Sequence, residues 1–188
     1  MREPDALGAL ATPSASADPL VPLTRPADVR DAGLVHALYL ATPSYFEMIA
    51  IPVPTSSEVR TEVLAARQDP RRHIELVLGD PSWRAPGLVR DARTGRPVAG
   101  VLDYKLDYPE PGDATVNLLL VHGVLQGRGV GARAVADLER RLDGGTRRIL
   151  AAVYGRNPSA CGFWEHQGYR FAIDAGPVLD WYAKEIGA

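Results

Sequence analysis

Residues 114–137 read ATVNLLLVHGVLQGRGVGARAVAD and decide the fold. The apolar run from Ala114 to His122 predicts a central strand that is buried on both faces. A glycine-rich turn follows it, and apolar residues at helical spacing then predict a helix from about Val130 to Leu142. The first amides of a helix have no partner inside the helix, and glycines let the backbone approach a ligand closely. This unit therefore predicts an anion site that suits a diphosphate.

The remaining elements are predicted from changes in hydrophobic period and from residues typical of helix ends. The chain is predicted to begin with an edge strand at 20–25, a helix that starts at 28 and ends before 43, a turn or loop at 44–49 and a helix from 55 that ends at 70. Strands are then predicted at 73–78, 87–90 and 98–106. The central helix is followed by a strand at 149–154, a helix at 157–167 and strands at 169–173 and 178–185. This order predicts an α/β (α+β mixed) fold, with a mixed sheet flanked by helices. We expect residues 1–18 to form a flexible leader and residues 19–188 to form a single domain.

The composition disfavours several classes of protein. The chain has 188 residues, of which 46% are hydrophobic, and its formal net charge is -2. Such a charge gives no general attraction to nucleic acid or to an anionic membrane, and no apolar run approaches the roughly 20 residues of a spanning helix. The single cysteine, Cys161, excludes an internal disulfide framework and a cysteine-rich zinc site. We therefore expect a cytoplasmic protein with no metal, no nucleic-acid partner and no membrane partner.

Three kinds of ligand carry phosphate groups that could bind to the loop. A nucleoside triphosphate requires Gly-Lys followed by Ser or Thr, whereas this loop continues with Gly131, Ala132 and Arg133. A dinucleotide fingerprint is matched formally by Gly127, Gly129 and Ala132. However, the next strand ends without an acidic residue for a ribose, and only about 57 residues follow Gly131. The third ligand is coenzyme A, and a second block of sequence favours it.

The segment from about Ala114 to Tyr169 resembles the core of the GNAT superfamily of acyl-CoA N-acyltransferases. Two blocks carry the resemblance: a Gln/Arg-x-x-Gly-x-Gly/Ala loop, and an Asn-x-x-Ala motif followed by an aromatic pair and Gly-aromatic. The matching residues are Gln126, Gly129 and Gly131, then Asn157, Ala160, Phe163, Trp164, Gly168 and Tyr169. The chain is especially similar to small bacterial members. The resemblance implies a mixed, mostly antiparallel sheet of about six to seven strands flanked by about four helices.

The resemblance also implies how the chain holds its co-substrate, acetyl-CoA. In the family the pantetheine arm lies along the central strand, a backbone amide near its end holds the thioester carbonyl, and the glycine-rich loop binds the diphosphate. The residues implied for this binding are Leu119, Leu120, Val121, Gln126, Gly127, Arg128, Gly129, Val130, Gly131, Ala132 and Asn157. The implied reaction is direct attack of a neutral amine on the thioester in one ternary complex, with no metal.

The catalytic acid and base are not marked by a matching motif. Many family members have a tyrosine that protonates the leaving thiolate at the position of Trp164, and an indole cannot supply that proton. Tyr154, at the end of the preceding strand, is a candidate substitute, with packing as the alternative. The candidate bases are His122, which has a suitable intrinsic pKa, and Glu47, for which a solvated loop position is the alternative. Asp103 and Tyr104 on the preceding strand are further candidates.

The acceptor is expected to lie under the segment between the two early helices. The family places its acceptor pocket there, so Tyr45 and Phe46 are candidate substrate contacts, with core burial as the alternative. An aromatic pocket with few acids suits a small amine with an apolar or aromatic body. The predicted function is therefore acetylation of a primary amine of a small molecule. The alternatives are a catalytically weak acyl-CoA-binding module and an enzyme that acetylates a protein or peptide. A homodimer is compatible with each.

Overall fold

The computed structural model describes residues 23–174 and 178–187, and the predicted leader lies outside these ranges. The strands are β1 (Thr24–Pro26), β2 (Arg72–Leu78), β3 (Val98–Leu106), β4 (Asp113–Val121), β5 (Arg148–Tyr154), β6 (Arg170–Asp174) and β7 (Leu179–Glu185). The helices are α1 (Ala32–Leu40), α2 (Pro43–Met48), α3 (Ser56–Gln68), α4 (Val130–Leu142) and α5 (Pro158–His166). Short 3-10 turns at Val29–Asp31 and Gly123–Leu125 follow β1 and β4.

The strands of the described residues form one sheet of seven, in the order β1-β2-β3-β4-β5-β7-β6. Neighbouring strands are antiparallel except β4 and β5, which are parallel. Helices α1, α2 and α3 pack on one face, in a core that includes Val35, Phe46 and Val63. Helices α4 and α5 cover the other face, where Val135 and Trp164 are buried. The predicted mixed, mostly antiparallel sheet is confirmed.

Strands β4 and β5 pair over only part of their lengths. Their parallel ladder joins four residue pairs and ends where Val116 is opposite Ala151. Beyond that point β4 continues to Val121 beside β3, and β5 continues beside β7. The strands therefore separate, and the edge of β4 from Asn117 onward faces an opening. The prediction of a central strand is confirmed, but burial on both faces is wrong for its second half, because residues such as Leu119 line this opening and are half-buried.

Ion pairs to a buried carboxylate join the two strands at the opposite end of the ladder. The side chain of Asp113 is fully buried, and it accepts hydrogen bonds from Arg148 Nη2 at 2.8 Å and from Arg147 Nη2 at 2.9 Å. Arg148 is also the residue opposite Asp113 in the ladder. At this end, therefore, β4 and β5 are connected through side chains as well as through the backbone.

A β-bulge in β4 interrupts the alternation of its side chains. Asp103 of β3 is opposite Leu118 and Tyr104 is opposite Val116, which leaves Asn117 as the additional residue. Val116 packs in the core under α4, whereas Leu118 packs in the core under α1. Asn117 faces the same side as Leu118, since its Nδ2 donates to Oδ1 of Asp103 at 3.3 Å. The bulge thus turns two consecutive side chains to one face of the sheet.

Two predicted elements are wrong. Residues 43–48 form helix α2 and not a loop; this helix is only six residues long, too short to show a helical period, and Pro43 occupies a first-turn position where no donor is needed. Residues 87–90 do not form a strand, because the segment makes only a single bridge, between Arg90 and Pro97. Thr55 and Glu58 form a capping box at the start of α3, where the sequence predicts a helix to begin. Among the residues that the structure describes, no helix is long and apolar enough to cross a membrane.

Candidate active site

The glycine-rich turn between β4 and α4 has a backbone that few other residues could adopt. Gly127 and Gly129 have φ angles of 71° and 75°, in the left-handed region that favours glycine. Gly129 is also the N-cap of α4, and its oxygen accepts the first intrahelical bond, from the amide of Arg133 at 3.0 Å. The amides of residues 130–132 precede that bond, and the first turn of the helix has no acidic side chain. This end of α4 therefore attracts an anion.

A cavity of about 590 Å³ lies between this turn, the open edge of β4 and α5. We call it the loop cavity. Its walls include residues 116–121, Gln126, Gly127, residues 129–132, Ala152, Tyr154, Asn157, Ser159, Ala160, Phe163, Trp164 and Gln167. A Cβ atom at Gly131 would lie 3.3 Å from the ring of Phe163, so a larger residue here would narrow the space beside the helix N-terminus. The small residue keeps the cavity open at this point.

The backbone of β4 presents hydrogen-bonding groups to the loop cavity. The amide of His122 donates to the oxygen of Ala99 in β3 at 2.9 Å. Because backbone groups of successive strand residues point to opposite sides, the amides of Val121 and Leu119 point away from β3, into the opening beside β5. The oxygen of Val121 points the same way, and it accepts a hydrogen bond from Gln126 Nε2 at 3.0 Å. The open edge of β4 can thus pair with an extended ligand that carries amide groups.

A second cavity, of about 870 Å³, lies on the other face of the sheet under α2. We call it the tyrosine cavity. Its walls include Tyr39, Tyr45, Phe46, Met48, residues 49–51, Pro54, Glu62, Arg72, Asp103, Lys105, Tyr108, Asn117, Leu118, Tyr154, Gly155 and Val178. Both cavities share one wall, which consists of Tyr45, Met48, Asn117, Leu118 and Tyr154. Groups bound in the two cavities therefore meet at this shared wall.

An ion network lies in the tyrosine cavity. Arg72 donates to both carboxylate oxygens of Asp103, at 3.2 and 2.5 Å, and to Oε1 of Glu62 at 2.7 Å. Burial raises the pKa of Asp103, although the paired guanidinium opposes the shift. The Glu62 side chain is 43% exposed, so the network extends from the buried sheet to the solvent. The cavity combines this polar chain with aromatic side chains.

The tyrosines of the shared wall have different surroundings. Tyr45 is half-buried and contacts Phe46 edge to face, with 5.2 Å between the ring centres. Burial raises the pKa of Tyr45 to about 12, and the nearby Tyr154 adds to the shift. The side chain of Tyr154 is exposed, and it lies at the end of β5 where that strand has left β4. Of the two hydroxyls, the one of Tyr154 is therefore better placed to exchange protons with solvent.

Most residues predicted to bind the co-substrate lie together in the loop cavity. Leu119, Leu120, Val121 and Asn157 are in its walls, as are the residues at 126–132 with the exception of Arg128, whose side chain is exposed. Oδ1 of Asn157 accepts from the amide of Ala160 at 2.9 Å and caps α5, which leaves the Nδ2 donor for a ligand. The role of each of these residues toward the co-substrate stays a prediction.

The other candidate catalytic residues lie elsewhere. His122 is buried, and its ring nitrogens lie 3.4 Å from the amide of Val124 and from the oxygen of Gly87; neither cavity includes it in the described walls. Glu47 is on the exposed side of α2 and is likewise outside both walls. Tyr104 is on the opposite face from the tyrosine cavity, where its hydroxyl donates to Glu75 at 3.1 Å. The positions of His122 and Glu47 do not support a role for either residue in proton transfer.

Trp164, at the position where many GNAT members have a tyrosine, is nearly completely buried. Its ring lies 4.8 Å from that of Tyr169 and 5.1 Å from that of Phe163, measured between ring centres. The side chain borders the loop cavity and packs in the core beneath α5. Its role in this structure is therefore to support the wall of the cavity.

Sequence reasoning missed four polar residues of the tyrosine cavity: Glu62, Arg72, Lys105 and Asn117. Glu62 and Arg72 have the ordinary appearance of surface charges on a helix and at a strand end. Asn117 carried a weak signal, as the only polar side chain within the apolar run VNLLLV. Within the described ranges, no group of three or more His, Cys, Asp or Glu side chains could hold a metal ion.

Comparison with known proteins identifies the family of the chain. A model of the acetyltransferase (GNAT) family matches residues 56–169. The crystal structure of an acetyltransferase from Thermus thermophilus is 37% identical, with a TM-score of 0.76, and the match covers 86% of this chain and 95% of that chain.

Two more distant structures share the fold. An acetyl transferase from Salmonella typhimurium that modifies the N-terminal serine of ribosomal protein L7/L12 is 17% identical, with a TM-score of 0.66 and coverage of 87% of this chain and 94% of that chain. The aminoglycoside acetyltransferase AAC(6')-Ib, solved in complex with coenzyme A, is 16% identical, with a TM-score of 0.64 and coverage of 86% and 93%. From the family match, the close relative and the paired cavities, we conclude that the chain belongs to the GNAT acetyltransferase family and is an acyl-CoA-dependent N-acetyltransferase.

Proposed function

We propose that the protein transfers an acetyl group from acetyl-CoA to a primary amine of a small molecule, by direct attack in a ternary complex. The observation that carries this proposal is the shared wall between the loop cavity and the tyrosine cavity. A donor in the first cavity and an acceptor in the second would meet at Asn117 and Tyr154 without a covalent enzyme intermediate. Holding two reactants in this way converts a bimolecular step into an effectively unimolecular one.

The residues of the loop cavity fit coenzyme A. Amides of residues 129–132 and the N-terminus of α4 would hold the diphosphate, and the open edge of β4 at Leu119 and Val121 would pair with the pantetheine amides. Asn157 would donate from Nδ2 to the same arm. The bound co-substrate supplies the thioester carbonyl that the amine attacks. The amide of Val121 would stabilise the negative charge that develops on that oxygen, and one such donor is typically worth about 10²–10³ in rate.

Tyr154 is the residue we assign as the proton donor to the leaving thiolate. Its side chain belongs to both cavity walls, and it lies at the end of β5, on the other side of the opening from the free edge of β4. The nearly completely buried Trp164 has no acidic proton to offer. A thiol ionises near pKa 8–9, so the thiolate needs only modest assistance. We assign no catalytic role to His122 or Glu47.

The tyrosine cavity favours a small acceptor with an apolar or aromatic body. Its walls combine Tyr39, Tyr45 and Phe46 with the carboxylates of Asp103 and Glu62, which attract a cationic amine. Both carboxylates are already paired with Arg72, which makes the cavity less suitable for a polyamine. The volume of about 870 Å³ is in the range of small-molecule pockets.

The test is release of CoA thiol from acetyl-CoA with a panel of acceptors. The panel contains 2-phenylethylamine, spermidine, glycinamide and a tetrapeptide with a free N-terminus. The proposal expects the highest kcat/KM with 2-phenylethylamine. Preference for the tetrapeptide would instead identify a protein or peptide acetyltransferase. Tight CoA binding in calorimetry without thiol release from any amine would identify an acyl-CoA-binding module and overturn the proposal.

A further inference from the structure

Asn117 occupies an unusual position in the sheet. It is the additional residue of the β-bulge in β4, and it directly follows Val116, the last residue of the ladder with β5. Its side chain also lies in the wall that the two cavities share. Bulges re-aim side chains and occur frequently next to active sites. Without the bulge, normal alternation of β4 could not place both Asn117 and Leu118 at the junction of the cavities.

The orientation of the Asn117 amide is fixed by its neighbour. Asp103 is bound by Arg72 through both of its oxygens, and an ionised carboxylate only accepts hydrogen bonds. The amide group of Asn117 must therefore turn its Nδ2 toward Asp103, where the distance to Oδ1 is 3.3 Å. Nδ2 and Oδ1 are the two branches of the planar amide group and point in diverging directions from its carbon atom. When Nδ2 faces Asp103, Oδ1 therefore points away from Asp103. The side chain that carries it lines both cavities, so Oδ1 is an acceptor at their junction.

We propose that Oδ1 of Asn117 accepts a hydrogen bond from the N–H of the acceptor amine and so directs the lone pair of its nitrogen toward the thioester. Asp103 and Arg72 are positioning residues, since they act by holding the amide of Asn117 in one orientation. The inference rests on the proposed function, because it concerns the amine that this function requires. It adds a role for a residue that no motif of the sequence identifies.

The proposed role differs from that of a base. An amide oxygen has no useful basicity in water, so Asn117 takes no proton. The proton that the attacking nitrogen loses goes to solvent, and Tyr154 gives its proton to the departing thiolate. A neutral primary amine has two N–H groups and one lone pair. One N–H bound to a fixed oxygen restricts the direction of that lone pair, which is the geometric requirement for attack. Misplacement of a reacting atom by about 1 Å can cost on the order of 10²-fold in rate.

The test compares Asn117→Leu and Asn117→Gln with the wild-type enzyme, using 2-phenylethylamine and saturating acetyl-CoA. The leucine variant keeps the approximate size without the oxygen, and the glutamine variant keeps the amide but moves it by one methylene group. Both should lower kcat by roughly 10- to 100-fold, while CoA affinity measured by calorimetry stays unchanged. Calorimetric titration of the amine into the enzyme–CoA complex should show a smaller change in Kd than in kcat. Full kcat in either variant would overturn the inference.

A double-mutant cycle tests whether Asp103 acts through Asn117. Asp103→Asn should lower kcat because an amide at position 103 no longer selects one orientation of Asn117. Combined with Asn117→Leu, it should add no further loss, since the group that it orients is already absent. A merely structural role of Asp103 would give losses that multiply, which would contradict the proposed coupling. Wild-type turnover measures the proposed function, whereas the ratio of variant to wild-type kcat measures this inference, so the two can fail separately.

Discussion

The side chain of Gln126 donates from Nε2 to the main-chain oxygen of Val121, 3.0 Å away. This bond connects the glycine-rich turn to the last residue of β4, on the edge that β5 has left. The oxygen of Val121 is thereby occupied, while its amide remains directed into the loop cavity. Gln126 therefore contributes to the site first by fixing the turn relative to the strand. The turn and the amide assigned to the thioester carbonyl are in this way held as one unit.

Replacement of Tyr154 by phenylalanine tests the assignment of the proton donor. Tyr154→Phe should lower kcat by roughly 10²-fold, the lower end of the range for general acids, because the departing thiolate is a good leaving group. CoA affinity should not change. The matched control is Tyr182→Phe, which removes a hydroxyl from a core tyrosine outside the described cavity walls. Equal kcat for Tyr154→Phe and the wild-type enzyme would show that the donor is another group.

A rescue experiment tests the same proton-donor role by adding a phenol hydroxyl instead of removing one. Trp164→Tyr restores the residue that many GNAT members have at this position, in the wall of the loop cavity. In the Tyr154→Phe background it should recover part of the lost kcat, because a phenol can again protonate the thiolate. The thermal midpoint of unfolding should fall, since a smaller ring leaves space beside Tyr169. A double variant that is stable, binds CoA and shows no recovery would mean that position 164 does not reach the sulfur.

The anion site is tested by a charge at the N-cap of α4. Gly129→Glu should abolish CoA binding in calorimetry, because the carboxylate would lie where the amides bind phosphate and the left-handed φ of 75° would strain the turn. Gly95→Glu is the control for the strain: Gly95 has a φ of 68° and, like Gly129, nothing within 4 Å of an added Cβ. It lies in the turn before β3. Unchanged CoA affinity of Gly129→Glu would show that the diphosphate does not bind at this loop.

A partly buried arginine gives a prediction about acid stability. Arg25 donates to both oxygens of Asp91, at 2.6 and 3.0 Å, and this pairing holds the pKa of Asp91 well below its usual range. A carboxyl whose pKa is lowered in the folded state stabilises the protein above its unfolded pKa of about 4, and this contribution is lost as the pH falls below that value. Arg25→Gln should therefore cost about 3 kcal/mol of unfolding free energy at pH 7, and less at pH 3.

Denaturant unfolding at the two pH values measures this difference. The control is Arg30→Gln, which removes an exposed arginine close to Asp28 and should leave the stability nearly unchanged. A cost of Arg25→Gln that is the same at pH 3 and pH 7 would show that the guanidinium acts by packing and not through its charge.

The sequence predicted the elements around the loop best. Helix α4 begins at Val130 and ends at Leu142 as expected, because its start is marked by glycines and its face by apolar residues at helical spacing. The fold and the family followed from that unit together with the block from Asn157 to Tyr169. Helix α2 could not be recognised, since six residues are too few to show a period. Part of the predicted first strand, at residues 20–22, lies outside the described ranges.

The acceptor half of the site was less predictable, for a physical reason. The bulge in β4 reverses the facing of every residue after Asn117, but an uninterrupted run of leucines looks the same with or without it. The network of Glu62, Arg72 and Asp103 forms only when α3, β2 and β3 come together. Neither feature has a local signature. Tyr154 could be predicted from the sequence because it ends the strand that follows α4, and the end of a predicted strand can be recognised in the sequence.

The short ladder of four residue pairs between β4 and β5 has a consequence for the affinity of the enzyme for acetyl-CoA. The buried Asp113 and its two arginines lie at the closed end of that ladder, and the co-substrate site lies where the strands have parted. The contacts of Asp113 secure the closed end of the ladder from which β4 and β5 diverge, and Asp113 is in neither described cavity wall. Asp113→Asn would be expected to loosen those contacts and to raise the KM for acetyl-CoA while the KM for the amine stays constant. Substitutions at Asp113 or its two arginines would then change the affinity for acetyl-CoA without changing any residue that contacts acetyl-CoA.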